Sequence, residues 1–275
     1  MRLVKLATLL IVWTLLFAAA ALMRLWIWLW RPREQWRIVG AATQTFVTAL
    51  RTIVNIKITL QGDLEWLDAK GAFIASNHLG YLDGFVLGSL FPVIFVSKRE
   101  VRRWPLIGQW TALCGTVYID REHKGKIPLM VEEIVERLKH KANILIFPEG
   151  TSTNGDHLLP FQSTPFAAPL RAHAPVVPLT IAYRRINGEP VTEANRDKIY
   201  WYGEMDFMTH FWAVLGLKSI EVAVKLHPPI ETTHYKNNSV SRKQLSHACY
   251  QAIASGLQHD RKPARTPLTL SEADT

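Results

Sequence analysis

His78 and Asp83 stand five residues apart in the stretch NHLGYLD, Asn77 to Asp83. An imidazole and a carboxylate so close in sequence are a base and a group that can orient it. Neutral imidazole takes a proton from a hydroxyl near neutral pH, and a neighbouring carboxylate fixes its tautomer and stabilises the imidazolium that forms. The chemistry this suggests is deprotonation of an alcohol. On a continuous helix of roughly 3.6 residues per turn, the two side chains would point about 140° apart. The apolar run Phe73 to Ser76 follows Gly71 and reads as a buried strand. His78 therefore falls on the turn leaving that strand, Asp83 opens the following helix, and Gly80 supplies the bend between them. Taken alone, the same pair is more readily read as a surface ion pair than as a catalytic one.

Two further polar groups stand where apolar runs stop. GTVYIDR, Gly115 to Arg121, is a strand that delivers Asp120 and Arg121 at its C-terminal end, where ligands commonly meet an α/β sheet. FPEGT, Phe147 to Thr151, ends a buried strand at Pro148 and turns through Glu149 and Gly150. Backbone amides in such a turn, with the Thr151 hydroxyl, can cradle an anion, and Arg121 would add a fixed charge with a bidentate fork. Each segment alone has a local reading, a salt bridge or a turn. Together they gather polar groups at strand ends of a single sheet.

The elements that must position these residues are legible as apolar runs. Strands are expected at Ile56–Leu60, Phe73–Ser76, Val93–Ser97, Thr116–Ile119, Ile144–Phe147, Val176–Tyr183 and Ile220–Leu226, with helices at Ala41–Ile53, Asp83–Leu90 and Leu129–Lys139. The alternation gives an α/β fold, a mixed and largely parallel sheet flanked by helices. From Gly256 the chain is polar, with Pro263 and Pro267, and 256–275 reads as a disordered tail.

The N-terminus is of another character. Leu6 to Met23 is apolar apart from Thr8 and Thr14, about 27 Å as a helix and close to a bilayer core. After Arg24 come Trp26, Trp28 and Trp30, then Arg31, Arg33 and Arg37, a mixture that marks a lipid headgroup zone. A cleaved signal peptide would explain the apolar run and the small residues Ala18 to Ala21, but would strand the aromatic and basic stretch at a new terminus. A retained membrane anchor accounts for both. Basic residues after the run outnumber Arg2 and Lys5, which places the remaining chain on the cytoplasmic face. The formal net charge of +9 calls for an anionic partner. Lys98, Arg99, Arg102 and Arg103 surround Trp104, Pro105 and Leu106, and basic charge interleaved with large apolar groups suits a membrane surface, not nucleic acid. Cys114 and Cys249 are the only cysteines, and there is no metal-ligand spacing, no G-x-S-x-G elbow and no complete P-loop.

NHLGYLD, GTVYIDR, FPEGT and VVPLTIAY resemble, in order and approximate separation, the four motif blocks of the glycerolipid acyltransferases typified by bacterial 1-acylglycerol-3-phosphate acyltransferase. KREVRRWPLIG, Lys98 to Gly108, looks like the segment between that family's first two blocks, and the resemblance covers about Ile56 to Tyr183. It implies transfer of a fatty acyl group to a lysolipid hydroxyl, with acyl-CoA or acyl carrier protein as co-substrate and no bound cofactor or metal. By similarity His78 is the general base and Asp83 its partner. Asn77, Arg121, Glu149, Gly150, Thr151 and Ser152 are then expected at the acyl acceptor. A thioester is already activated, so the reaction needs no enzyme nucleophile.

The domains implied are 1–55, a membrane anchor and amphipathic helix, and 56–255, the acyltransferase domain. The expected acceptor is 1-acylglycerol-3-phosphate, giving phosphatidate. The site of action is a membrane's cytoplasmic face, the inner membrane in a bacterium. Ser152 and Thr153 follow Thr151 where phosphatidate-forming members commonly have arginine, and the segment Glu149 to Phe166 looks more like members acting on other lysolipids, including lyso-ornithine lipid acyltransferases. Acylation of such a lysolipid is the alternative. A noncatalytic membrane lipid-binding protein is the alternative of another class.

Overall fold

The computed structural model describes residues 1–30, 32–67, 71–104, 107–120, 125 and 127–261. Arg31, Pro105, Leu106, Arg121 and the expected tail from residue 262 lie outside the described residues.

Among the described residues, seven of eight strands follow the order β1-β8-β6-β2-β5-β3-β4, with the short β7 (Glu189–Pro190) paired to β6. β2 (Phe73–Ser76) is central and runs parallel to β5 (Ile144–Ile146) and to β6 (Val176–Ile186). β3 (Ile94–Lys98) and β4 (Val117–Ile119) extend the parallel part. β8 (Ile220–Leu226) reverses direction against β6, and β1 (Ile56–Gln61) follows β8 in parallel at the edge. The sheet is thus mixed and largely parallel. Parallel strands are covered on both faces, which is why β2 is buried at every residue. Its alternate side chains serve different layers: Ile74 packs with Leu82, Val86 and Leu87 of α3 (Leu82–Leu90), while Phe73 and Ala75 pack with Ile134 and Leu138 of α5 (Ile127–Lys139).

Several helices carry no clear sequence signal. α4 (Ile107–Leu113) and α6 (Ala167–Ala172) are too short to show a periodicity, and α7 (Phe207–Leu215) is apolar on most of its circumference. α8 (Ser239–Arg261) is polar overall but buries Leu245, Cys249 and Ile253, one apolar side chain per turn, against the sheet. It also corrects the expected tail: 256–261 are helical. Gly256 belongs inside this helix because a Cβ there would collide with the Thr180 hydroxyl and lie 2.9 Å from His227 Nε2. The residue that looks like a helix breaker is the one that lets α8 approach β6.

α1 (Arg2–Trp30) is one continuous helix passing through Arg24, and α2 (Gln35–Val54) follows it. One stripe of α1, including Leu9 and Ala20, packs with Phe46 and Val47 of α2, Trp110 of α4 and Leu215 of α7. Near its start Lys5 Nζ donates to the Leu217 carbonyl at 2.8 Å. The opposite side leaves Leu10, Ile11, Leu15, Leu22, Trp26 and Trp30 exposed.

Candidate active site

β2 and β5 end side by side, and their C-terminal ends build the site. After Ser76 the chain leaves the sheet through Asn77 and turns at His78 to Gly80 into α3. The turn is tight because Gly80 has no side chain: a Cβ there would lie 2.8 Å from the Trp201 amide nitrogen. That amide donates to the Leu79 carbonyl at 3.0 Å, so the 201 segment is laid directly on the turn.

Asp83 sits in the first turn of α3 with no exposure. Its Oδ2 meets His78 Nδ1 at 2.8 Å and accepts from the amides of Leu79 at 2.6 Å and Gly80 at 3.0 Å. Its Oδ1 accepts the Tyr183 hydroxyl at 2.9 Å. Four donors thus converge on this buried carboxylate and satisfy its lone pairs. An ionised Asp83 can only accept, so Nδ1 of a neutral His78 carries the proton and Nε2 keeps its lone pair. The His78 side chain retains 21% exposure, which leaves its ring open to a substrate. Phe147 stacks on one face of that ring with centroids 4.0 Å apart and planes 12° from parallel, restricting its rotation.

Glu149 holds the turn from the other side. Its Oε1 accepts the His78 amide and its Oε2 the Leu159 amide, both at 2.8 Å. Burial pushes its carboxyl up to about 7, against the lowering effect of those two amides. The Thr153 amide donates to the His78 carbonyl at 3.0 Å, so both backbone groups of His78 are held by the segment after β5.

The sequence-expected residues therefore divide. His78 and Asp83 come together as a hydrogen-bonded pair. Asn77 and Glu149, expected at the acceptor, brace the scaffold through backbone hydrogen bonds. Asn77 is buried, donates to the Ile181 carbonyl at 3.0 Å and accepts the Ile181 amide at 2.9 Å, fastening the turn to β6. Gly150 turns the chain at φ +80°, Thr151 is exposed and Ser152 half-buried on the open side of the turn. Asp120 pairs with Arg99, while Arg121 lies outside the described residues. Beyond Ser152 the loop is tied by Asp156 to Arg196, and that guanidinium holds the Asp156 carboxyl below its usual range.

Phe147 and Tyr183 are the site residues that sequence reasoning passed over. Phe147 opens FPEGT and Tyr183 closes VVPLTIAY. What singles them out is an aromatic type at a strand end, where a ring or hydroxyl can reach the neighbouring strand's turn.

Comparison with known proteins fits this geometry. The family model described as Acyltransferase matches residues 56–182. The chain is 37% identical over 196 residues to the lyso-ornithine lipid O-acyltransferase of Rhodobacter capsulatus, covering 68% of this chain and 66% of that one. It is 34% identical over 191 residues to the protein of that name from Pseudomonas aeruginosa, covering 70% and 69%. Among solved structures, the 1-acyl-sn-glycerophosphate (LPA) acyltransferase PlsC of Thermotoga maritima superposes with a TM-score of 0.62 at 19% identity, over 97% of this chain and 100% of that one. At that identity the superposition speaks for the fold.

Proposed function

The chain belongs to the acyltransferase family, and from that premise we propose that it transfers a fatty acyl group from a thioester donor, acyl-CoA or acyl carrier protein, to the hydroxyl of a lysolipid at a membrane surface. The observation that carries this reading is the His78–Asp83 pair: Nδ1 is held by a buried carboxylate, while the ring as a whole remains partly exposed. Nε2 removes the acceptor's hydroxyl proton as its oxygen attacks the thioester carbonyl. The tetrahedral intermediate then collapses, the C–S bond breaks, and the imidazolium returns the proton to the thiolate. Asp83 stabilises the imidazolium between the two transfers. The amides of His78, Leu79, Gly80 and Thr153 are engaged within the protein, so the oxyanion is met by other donors.

The sequence alone ranks 1-acylglycerol-3-phosphate first and lyso-ornithine lipid second. The two relatives described above, each matched over about two thirds of its length, bear the lyso-ornithine name, and we take that lipid as the first acceptor to test. Two features of the loop support it. Ser152 brings no charge, and Arg196 is already matched by Asp156. An ornithine headgroup, which carries an amine beside its carboxylate, asks for less positive charge than a phosphomonoester.

The membrane reading rests on α1. Its docked stripe ties it to the catalytic domain, and its exposed apolar side would face lipid. At 1.5 Å per residue its 29 residues reach about 43 Å, longer than a bilayer core. A helix docked in this way fits an anchor that seats the domain on one leaflet, the cytoplasmic one by its flanking arginines.

The test offers purified protein a panel of lysolipids with labelled acyl-CoA and acyl carrier protein, and identifies products by mass. An acylated ornithine lipid as main product is the expected result. Phosphatidate alone would reverse the order of acceptors, and no acylated lipid from any acceptor would refute the reading.

A further inference from the structure

Asp83 is held from two directions, and one of its holders lies outside the sequence segment that carries the pair. Oδ2 takes His78 Nδ1 and the Leu79 and Gly80 amides, all within the turn itself. Oδ1 takes the Tyr183 hydroxyl at 2.9 Å, across the sheet from β6. We propose that Tyr183 is a positioning residue for acyl transfer: its hydroxyl fixes the plane of the Asp83 carboxylate, and through it the tautomer and orientation of His78. The proposal rests on the reading that His78 is the base.

The physical case is that a buried carboxylate oxygen needs a donor. Asp83 is fully buried. With Oδ1 unsatisfied, the carboxyl would rotate toward another donor. That rotation releases Nδ1, since a carboxyl turned away no longer requires the tautomer that leaves Nε2 free. Tyr183 suits this task because burial and the adjacent Asp83 charge raise its phenol well above its ordinary value, so it always has a proton to donate. Its ring is locked in the core and lies 5.7 Å from the ring of Tyr200. The hydroxyl is buried behind Asp83, so it acts through the carboxylate without touching the acceptor.

The experiment compares full-length Y183F with H78A and the unmodified protein in the same membranes. Removing a hydrogen bond to a charged group should lower kcat about 10- to 100-fold, while KM for both substrates stays within about twofold. The proton resonance of His78 Nδ1–H should shift or broaden, which a merely structural loss elsewhere would not cause. A folded Y183F with full kcat, alongside an inactive H78A, overturns the proposal and leaves the base assignment standing. An active H78A removes the base assignment itself, whatever Y183F does. Fluorinated tyrosine at 183 keeps the ring and alters the donor strength, which covers the case in which Y183F does not fold. A change in kcat beyond about twofold at constant KM then supports the assignment, and an unmoved kcat overturns it.

Discussion

The two sides of the site are built on opposite plans. The turn from Asn77 to Asp83 is fixed from every direction: Asn77 to β6, His78 to Glu149 and Thr153, Asp83 to Tyr183, and Gly80 beneath Trp201. The loop from Thr151 to Asp156 is exposed or half-buried and closes on an exposed ion pair with Arg196. Buried polar networks tolerate almost no change because each lost partner leaves a desolvated group behind. An exposed loop can exchange side chains at a cost of a few tenths of a kcal/mol. On the proposed reading, the chemistry lies in the part that resists substitution, and the choice of headgroup in the part that accepts it.

This contrast sets an order of expected effects. His78→Ala should lower acyl transfer about 10³-fold, and Asp83→Asn by about 10² to 10⁴ through the wrong tautomer, both measured in membranes free of other acyltransferases. Gly80→Ala places a Cβ 2.8 Å from the Trp201 nitrogen. It should cost about 1–3 kcal/mol of stability and most of the activity, read by thermal unfolding and turnover together. If it is silent, the turn is not rigid and the contrast fails.

Glu149→Gln probes the brace by pH. Because burial raises this carboxyl to about 7, the folded state binds its proton more tightly than the unfolded chain. Its contribution to stability is therefore fully present at low pH, declines from roughly pH 4.5 upward, and is lost once pH exceeds about 7. Glutamine cannot ionise, so the unfolding midpoint of the unmodified protein should fall relative to that of the variant as pH rises from 5 to 8. A constant difference would mean that the buried charge is compensated. Ser152→Arg should have the smallest effect, raising the use of lysophosphatidate relative to other acceptors about fivefold without a change in folding. Loss of activity with every acceptor would show the loop to be as constrained as the turn.

Much of the scaffold was legible because a parallel strand buried on both faces is largely apolar, and glycine or proline stands in the turns that bound it. FIAS before NHLGYLD and ILI before FPEGT are of this kind. The His78–Asp83 contact was legible for a related reason, since a strand-to-helix turn is the local geometry that can close the H-x4-D spacing. Asn77 and Glu149 were not legible in their observed roles, because a side chain that pairs with the backbone of Ile181 or Leu159 looks the same in sequence as one that meets a ligand. α8 escaped because its buried stripe carries a single apolar side chain per turn, set among serines, histidines and glutamines.

The strand order also bears on how the protein is made. β1 follows directly on the apolar helices, yet its sheet partner is β8, with Ile56 opposite Ile220. At about 5–20 residues per second, a ribosome that has released β1 takes roughly 10 to 30 s to supply that partner. Through that interval the apolar N-terminus is already seeking lipid, and an unpaired strand waits beside it. A nascent chain arrested before residue 220 would hold the membrane with its sheet still open, so β8 is where biosynthesis turns a tethered polypeptide into an enzyme.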